Sequence, residues 1–420
     1  MNSVIKPWRD YRAEGIRYVL IQFTDLYGDA RGKLVPVEHF DDLFDRGAGF
    51  AGSSVWGLGL PRHGERSEFY AVADDSTVRR LPWMPDTLHL IGNGHVAREP
   101  FVGCPRQTLM RAQAALAKQG FTMNVGIEPE FFLFKRDAAA PHTLADLDDH
   151  LDKPSYDLHT LLREPYLGTL KALSQWLQAM DFDVLQIDHE DAPGQFEVNY
   201  RYGELLRAAD DFTRFKLAAE AAAEARGLTY SGTAKPFADR PGSGLHFHIS
   251  FADRDRDGKA AFSHDGVTLS PTGQHALAGL LAHATALTAL CAPTINSYQR
   301  LSAQDSRSGT TWAPGVIAWG DNNRTVPARV VDGRIEWRVP DPSCNVYLAL
   351  AGVAHAMLDG IEQRLPLDAA VNVDAYEIDQ ALARLPASLS AAKAALRADQ
   401  ALSAAIGGHI VEQFLRLPER

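Results

Sequence analysis

The chain is 420 residues long, 45% apolar and 23% charged, with a formal net charge of -11. That length buries a large core in more than one domain. The acidic balance excludes a general nucleic-acid binder, which needs surplus lysine and arginine to neutralise phosphates.

Three widely spaced cysteines, Cys104, Cys291 and Cys344, fit buried thiols in a reducing compartment better than disulfides or a thiolate metal site. The N-terminal stretch has no hydrophobic signal core. The most apolar long segment, 276–293, is interrupted by His283 and several threonines, so it reads as buried helix and not as a membrane span. A cytoplasmic protein without membrane partners is expected.

Residues 1–102 read as a small α+β unit. A strand at 18–24 precedes a turn region with Gly28 and Gly32, a second strand passes through Leu34 and Val35, and 37–45 has helical spacing. The glycine-rich run 47–57 is expected to be a loop, and the prolines at 100 and 105 mark a boundary. The remainder, 103–420, opens with a helix at 106–119 ended by Gly120. Strands bearing polar pairs then alternate with long helices at 167–180 and 205–226; 137–153 is an acidic loop, and the tail after Ile361 is helical by composition.

Four stretches carry the chemistry. Glu128 and Glu130, His246 and His248, and Arg334, Glu336 and Arg338 each lie two residues apart inside apolar runs. Alternation along a strand places such residues on one face. Asp188, Glu190 and Glu197 add further carboxylates. A solvated strand edge is the plain alternative for Glu128 and Glu130. The Phe131–Phe134 run that follows argues against it, because a strand buried on both sides leaves its carboxylates in need of a cation or a hydrogen-bond donor. Gly242 and Gly244 ahead of the two histidines permit close approach of a ligand. The stretch from Asp253 to Gly258 resembles the start of a calcium loop. It has His264 where the twelfth-position glutamate belongs and follows a strand, so it reads as a hairpin turn. Arg300, Arg324, Arg329, Arg334 and Arg338 crowd one span of an acidic protein, which suits phosphate and carboxylate recognition. No glycine-rich phosphate loop of either common type is present. A metal–nucleotide site lined by carboxylate, imidazole and guanidinium groups is the simplest reading.

In this order, from the strand near Tyr18 to about Ala351, the segments resemble the glutamine synthetase superfamily, nearest its γ-glutamylmethylamide synthetase branch. The resemblance implies an α+β fold, with a small N-terminal β-grasp domain before a large catalytic α/β domain. It also implies a homo-oligomer of two stacked hexameric rings whose active sites lie between subunits. The implied reaction uses ATP to activate glutamate as γ-glutamyl phosphate, which an amine then attacks. By position, Glu130, Glu190 and Glu197 match ligands of one divalent ion, and Glu128, His246 and Glu336 match ligands of a second, Mg²⁺ or Mn²⁺. Arg300, Arg338 and Gly242 match glutamate-binding positions. Arg324, Arg329, Arg334, His248, Ser250 and Tyr202 match nucleotide-binding ones, with Arg324 placed to stabilise phosphoryl transfer.

The departures bear on the amine. Ammonia-using members carry an Asp where Ala51 stands, a flap Glu where Ser306 stands, and an Asn where Pro241 stands. Asp188 instead replaces a common His. The expectation is that Asp188 holds a protonated alkylamine and that Glu197 or Asp305 removes its proton. Ala51, with Phe50, Trp56 and Trp312 nearby, leaves room for an N-alkyl group. Methylamine is favoured. The alternatives are glutamine synthesis from ammonia, ligation of a polyamine or aromatic amine, and a non-catalytic structural relative.

Overall fold

The computed structural model describes residues 6–136, 144–145, 155–254, 258–263, 265–302, 312–378 and 382–420. In the N-terminal part, strand β1 (Tyr18–Thr24) lies between β2 (Ala30–Pro36), antiparallel to it, and the long β5 (Met84–Val96), parallel to it. β4 (Glu68–Ala73) pairs with β5 on the other side, and β3 (Ala48–Ala51) closes the edge. Alternation along β1 buries Val19, Ile21 and Phe23 beneath the sheet. There the Phe23 ring meets those of Phe69 and Phe50 at 4.6 and 4.9 Å.

β3 corrects the expectation of a loop across the glycine-rich run. Its backbone pairs with β4 from Ala48–Ala71 to Ala51–Glu68. Gly49 faces the Tyr70 ring so closely that an added Cβ would stand 3.1 Å from its Cε1. Glycine here admits an aromatic ring against a strand and does not break the strand. The helical expectation over 37–45 is met only in pieces, a 3₁₀ turn at Val37–His39 and one helical turn at Asp42–Asp45.

The larger part is built on the 16-residue strand β6 (Phe121–Arg136). The strands β7 (Val184–His189), β8 (Gln195–Tyr200), β9 (Leu245–Asp253), β10 (Trp319–Asp321), β11 (Ala328–Val331) and β12 (Arg334–Trp337) complete a sheet in the order β7-β8-β6-β9-β12-β11-β10. All neighbours are antiparallel except β10 and β11. One sheet face turns its apolar residues, among them Ile127, Phe131, Phe196 and Phe247, into the main core. The helices α1 (Pro105–Lys118), α2 (Tyr166–Ala179), α3 (Leu205–Glu224) and α5 (Val346–Gln363) contribute to that core, as where Phe131 meets Phe215 of α3 at 5.8 Å. A short helix α4 (Ile295–Leu301), with a reciprocal Thr294–Ser297 capping box, carries Arg300. A small sheet-based unit ahead of a larger mixed helix-and-sheet unit is the expected fold class, and it holds.

Arg106 at the start of α1 fastens the two parts together. It is 2% exposed, grips both oxygens of Asp210 at 2.8 and 2.9 Å, and reaches Asp74 and Asn93 of the small sheet at 2.9 and 2.7 Å. β9 pairs antiparallel with Lys259–Ala260, Ala252 opposite Ala260 and Asp253 opposite Lys259; the centre of the expected hairpin turn, 255–257, and His264 lie outside the described residues. So does most of the acidic stretch 137–153.

The C-terminal tail is less helical than its composition suggests. α5 ends at a left-handed Arg364 ahead of Pro366, and the chain then runs along the sheet edge, where Val371 N–H donates to Trp319 O at 2.8 Å. Three short helices follow from Leu389. No described helix is long and apolar enough to cross a membrane.

Candidate active site

Sheet register, more than any single motif, assembles the polar residues. Asp188 lies opposite Glu197, Glu197 opposite Glu130, Glu128 opposite His246, His248 opposite Glu336, and Glu336 opposite Arg329. A polar row therefore crosses six adjacent strands on the face away from the helices. The histidine alternation is as expected: Leu245, Phe247 and Ile249 are fully buried beneath the sheet while His246 and His248 look out of it.

Two triads within this row bring one donor atom from each member within 4.8 Å of the others: Glu128, His246 and Glu336, and Glu130, Glu197 and His246. His246 stands at their junction. Its Nδ1 lies 3.5 Å from Glu336 Oε1 and 3.7 Å from Glu128 Oε2, and its Nε2 lies 3.7 Å from Glu130 Oε1. Glu190 stands just outside the second triad. It shares with Glu130, His246 and Arg300 a small cavity also lined by Gln195, Gly242 and Trp312.

The two ends of the row differ electrically. Burial alone would raise the Glu336 pKa, but Arg338, His246, His248 and Arg329 outweigh it and hold the carboxyl at about 2. Arg329 Nη1 donates to Glu336 at 2.6 Å, and Arg338 donates to its other oxygen. Glu128 is likewise held low against burial by His246 and His248. At the opposite end, burial and then the neighbouring Glu130, Asp191, Asp188 and Glu128 push Glu190 up to about 8. Glu197 is also pushed well up, by burial and by Glu128, Glu190 and Glu130; the Asn199 amide, which donates to it at 2.8 Å, offsets this only partly. Buried carboxylates whose main electrostatic neighbours are other carboxylates are ionised only when a cation joins them. Oxygen donors with one imidazole suit Mg²⁺ or Mn²⁺, so the residues fit such ions.

The arginines surround the row. Arg300, 4% exposed, donates to Val339 O and Arg338 O at 2.9 and 3.0 Å. Gly242 and Gly244 make room for it: a Cβ at 242 would lie 2.8 Å from Arg300 Cγ, and one at 244 would lie 2.9 Å from its Nη2 and 2.6 Å from His246 Nε2. Arg334 Nε donates to His248 Nδ1 at 3.0 Å. Arg324 is exposed, and its charge acts on Tyr156. Exposed Tyr202 and half-buried His248 flank Gly126, whose absent side chain leaves their Cβ atoms 3.6 and 3.5 Å from where its own would be. Ser250 lies two residues further along β9, opposite Asn124.

Asp188 accepts from Gln186 and Asn199 at 2.9 and 3.4 Å. The other expected amine neighbours divide. Trp312 lines the cavity, whereas Phe50 packs in the small core and Ala51 and Trp56 face outward. Asp305 and Ser306 lie outside the described residues.

Three participants escaped the sequence reading. Asp191 accepts from Trp312 Nε1 at 2.8 Å and from Ser155 Oγ, bracing the indole across the cavity. Its place directly after Glu190 was the available signal. Asn199 shares the Glu197 face by the same two-residue period. Tyr156, whose phenol is under the influence of Glu190, Asp188 and Glu197, follows an unpatterned stretch and had no signal.

Comparison with known proteins agrees with this geometry. The family model described as glutamine synthetase, catalytic domain, matches residues 102–420. A glutamate–methylamine ligase of Methyloversatilis universalis is 41% identical over 96% of this chain and 91% of its own length. A glutamine synthetase of Rhizobium leguminosarum bv. phaseoli is 37% identical over 97% and 93%. A solved structure of a GmaS–ADP complex superposes with a TM-score of 0.90 at 35% identity, covering 98% of this chain and 94% of that one. A polar row of this kind on this fold, with relatives matched along nearly their whole lengths, places the chain in the glutamine synthetase family of ATP-dependent glutamate ligases.

Proposed function

We propose that the chain joins the γ-carboxyl group of glutamate to methylamine through γ-glutamyl phosphate, releasing ADP and phosphate. The observation that carries this reading is the acid-rich end of the row. Asp188 sits opposite Glu197 and acts on Glu190, beside a cavity walled by an indole, while the position that binds ammonium in ammonia-using relatives is Ala51. A protonated alkylamine needs an anionic contact and an apolar wall, and both are present here. Similarity to the named methylamine ligase points the same way.

In this reading Arg300 and Arg338 hold the glutamate carboxylate. Arg329, Arg334, His248, Ser250 and Tyr202 face the nucleotide, and Arg324 offsets charge on the moving phosphoryl group. Glu130, Glu190 and Glu197 would hold one Mg²⁺ or Mn²⁺, and Glu128, His246 and Glu336 the other. Bound there, the two ions would neutralise phosphate charge during in-line transfer. Asp188 orients the alkylammonium, and Glu197 (or Asp305) accepts its proton before attack. Ala51 and Trp56 are exposed and do not line their own chain's cavity, which suits stacked hexameric rings in which the small sheet completes a neighbour's site.

The test is a panel of ammonium, methylamine, ethylamine, a polyamine and an aromatic amine with ATP and glutamate, scored by phosphate release and product mass. Methylamine should give the highest kcat/KM, with a γ-glutamylmethylamide mass. A preference for ammonium above all amines would refute the assignment while leaving the family intact.

A further inference from the structure

A second cavity lies behind the catalytic sheet, and none of its lining residues belongs to the polar row. It occupies about 440 Å³ at the junction of the small sheet, α3 and the C-terminal segment. Lys216 and Glu220 of α3 line it together with Tyr230, Ser231, Thr294 and Ser343. Tyr230 pairs across the sheet edge with Leu133, whose side chain enters the main core on the helix side, opposite His246 and Glu128.

Two groups in this cavity lack the partners that burial calls for. The half-buried Lys216 ammonium reaches only the Gly28 carbonyl, at 3.2 Å, and the Phe212 ring, at 5.4 Å; no carboxylate lies within 4.0 Å among the described residues. Lys216 and the exposed Glu220 are one helical turn apart on α3, within reach of each other, yet they form no ion pair, and both line the cavity. The Tyr230 hydroxyl is buried without a hydrogen-bond partner among the described residues and lies against Gly232, which also lines the space. A desolvated cation, an acid held off from it and an unused hydroxyl around one cavity describe a receptor for a zwitterion with a polar tail.

We propose that this cavity binds a polar α-amino acid, its carboxylate on Lys216, its ammonium toward Glu220 and its side chain among Tyr230, Ser231 and Ser343. Burial lowers the Lys216 pKa, and an arriving carboxylate offsets that cost. The site has a direct route to the reaction. Thr294 caps the helix that carries Arg300, and Ser343 donates through its backbone N–H to Asp341, the buried carboxylate whose charge acts on Arg300. Occupancy therefore bears on the groove that holds glutamate. The binding claim does not depend on which amine the enzyme uses.

Calorimetry with L-glutamine tests it on the full chain. The active-site carboxylate grip is first removed with Arg338→Ala, which should still bind the probe at one site per chain. Lys216→Met in that background should weaken binding at least tenfold, and Lys216→Arg should retain it. In the otherwise unaltered enzyme, Lys216→Met should leave kcat for glutamate and methylamine intact, which reports correct folding. If Arg338→Ala does not fold, Glu220→Gln in the unaltered chain should remove one of two glutamine sites. The proposal is overturned if Arg338→Ala binds no glutamine, if Lys216→Met in that background binds it as tightly as its parent, or if Glu220→Gln leaves the site count unchanged.

Discussion

The two ends of the polar row are made of the same side chain and behave oppositely. Glu336 has guanidinium groups on both oxygens and is ionised in the protein alone. Glu190 and Glu197 are surrounded chiefly by other carboxylates and stay protonated to far higher pH. What separates them is the register that brings β11 alongside β12 and β7 alongside β8. One end is a finished ion-pair network. The other is an incomplete one, short of positive charge. On the proposed function, the divalent ions and the alkylammonium would find the larger unmet demand for a cation at the acid-rich end.

The largest expected effects follow from removing one carboxylate at each end. Glu336→Ala strands Arg329 and Arg338 in a buried setting, so it should cost about 3–5 kcal/mol of folding stability as well as activity. Glu197→Gln puts a neutral amide where burial and the neighbouring acids already hold the carboxyl protonated. It should leave the metal-free melting temperature unchanged or higher, while lowering kcat about a thousandfold, on the order of 4 kcal/mol, through loss of a proposed metal ligand. Thermal melts of both variants without divalent ions decide the matter. A Glu197→Gln protein that is as destabilised as Glu336→Ala would erase the contrast.

The same asymmetry gives a pH signature. Glu190 has a folded pKa of about 8 against an ordinary value of 4.5, so the folded state holds its proton across that window while the unfolded chain has released it. Metal-free stability from this group is full below about 4.5 and declines as pH rises toward 8, by a few kcal/mol at most. Glu336, held at about 2, acts in reverse: its contribution is present above its ordinary value of 4.5 and is lost as pH falls toward 2. Mg²⁺ competes with the Glu190 proton, so its stabilising effect should grow through pH 8. Melting curves with and without Mg²⁺, compared with those of Glu190→Gln, read this directly. A wild-type slope unchanged by that substitution would remove Glu190 as its source.

These contrasts were only half legible in the sequence. Period-two alternation is local, so the faces shared by Glu128 and Glu130, by His246 and His248, and by Arg334, Glu336 and Arg338 were readable. Which face meets which is set by long-range pairing. Nothing in the local pattern opposes Glu197 to Glu130 or puts Arg329 against Glu336. The Trp312–Asp191 bond spans 121 residues and was out of reach for the same reason. Local rules mislead at Gly49, where glycine marks an aromatic neighbour across a strand pair and not a loop.

A medium effect is expected at the amine contact. Asp188→Asn keeps the hydrogen bonding with Asn199 and Gln186 approachable but removes the charge. Losing one charge-assisted contact costs about 1.5–3 kcal/mol, which raises the methylamine KM roughly ten- to a hundredfold and leaves the ATP KM unchanged. Trp312→Ala should act on the other requirement, the apolar wall, narrowing the preference for methylamine over ethylamine by about tenfold or less. If Asp188→Asn moves the ATP KM and spares the amine, the acid-rich end serves the nucleotide and not the acceptor.

The smallest effect comes from the strand between the two ends. Gly126 and Gly244 both face the site, but the space over them differs. At Gly244 a methyl group would meet His246 Nε2 at 2.6 Å and Arg300 Nη2 at 2.9 Å, so Gly244→Ala must displace the imidazole at the junction of the two triads and the buried Arg300 together. At Gly126 the nearest atoms, the Cβ atoms of His248 and Tyr202, lie at 3.5 and 3.6 Å, an ordinary van der Waals distance. Gly126→Ala therefore adds a methyl group to the floor between His248 and Tyr202, the two residues proposed to face the nucleotide, without moving either. Its cost should stay below about 1 kcal/mol, seen as a rise of roughly threefold in the ATP KM with glutamate and methylamine constants unaltered. Steady-state kinetics with each substrate varied in turn distinguishes the cases. A large loss in the glutamate constants from Gly126→Ala would mean that the nucleotide floor and the metal row share their tolerances, and that the two ends are less independent than their charges indicate.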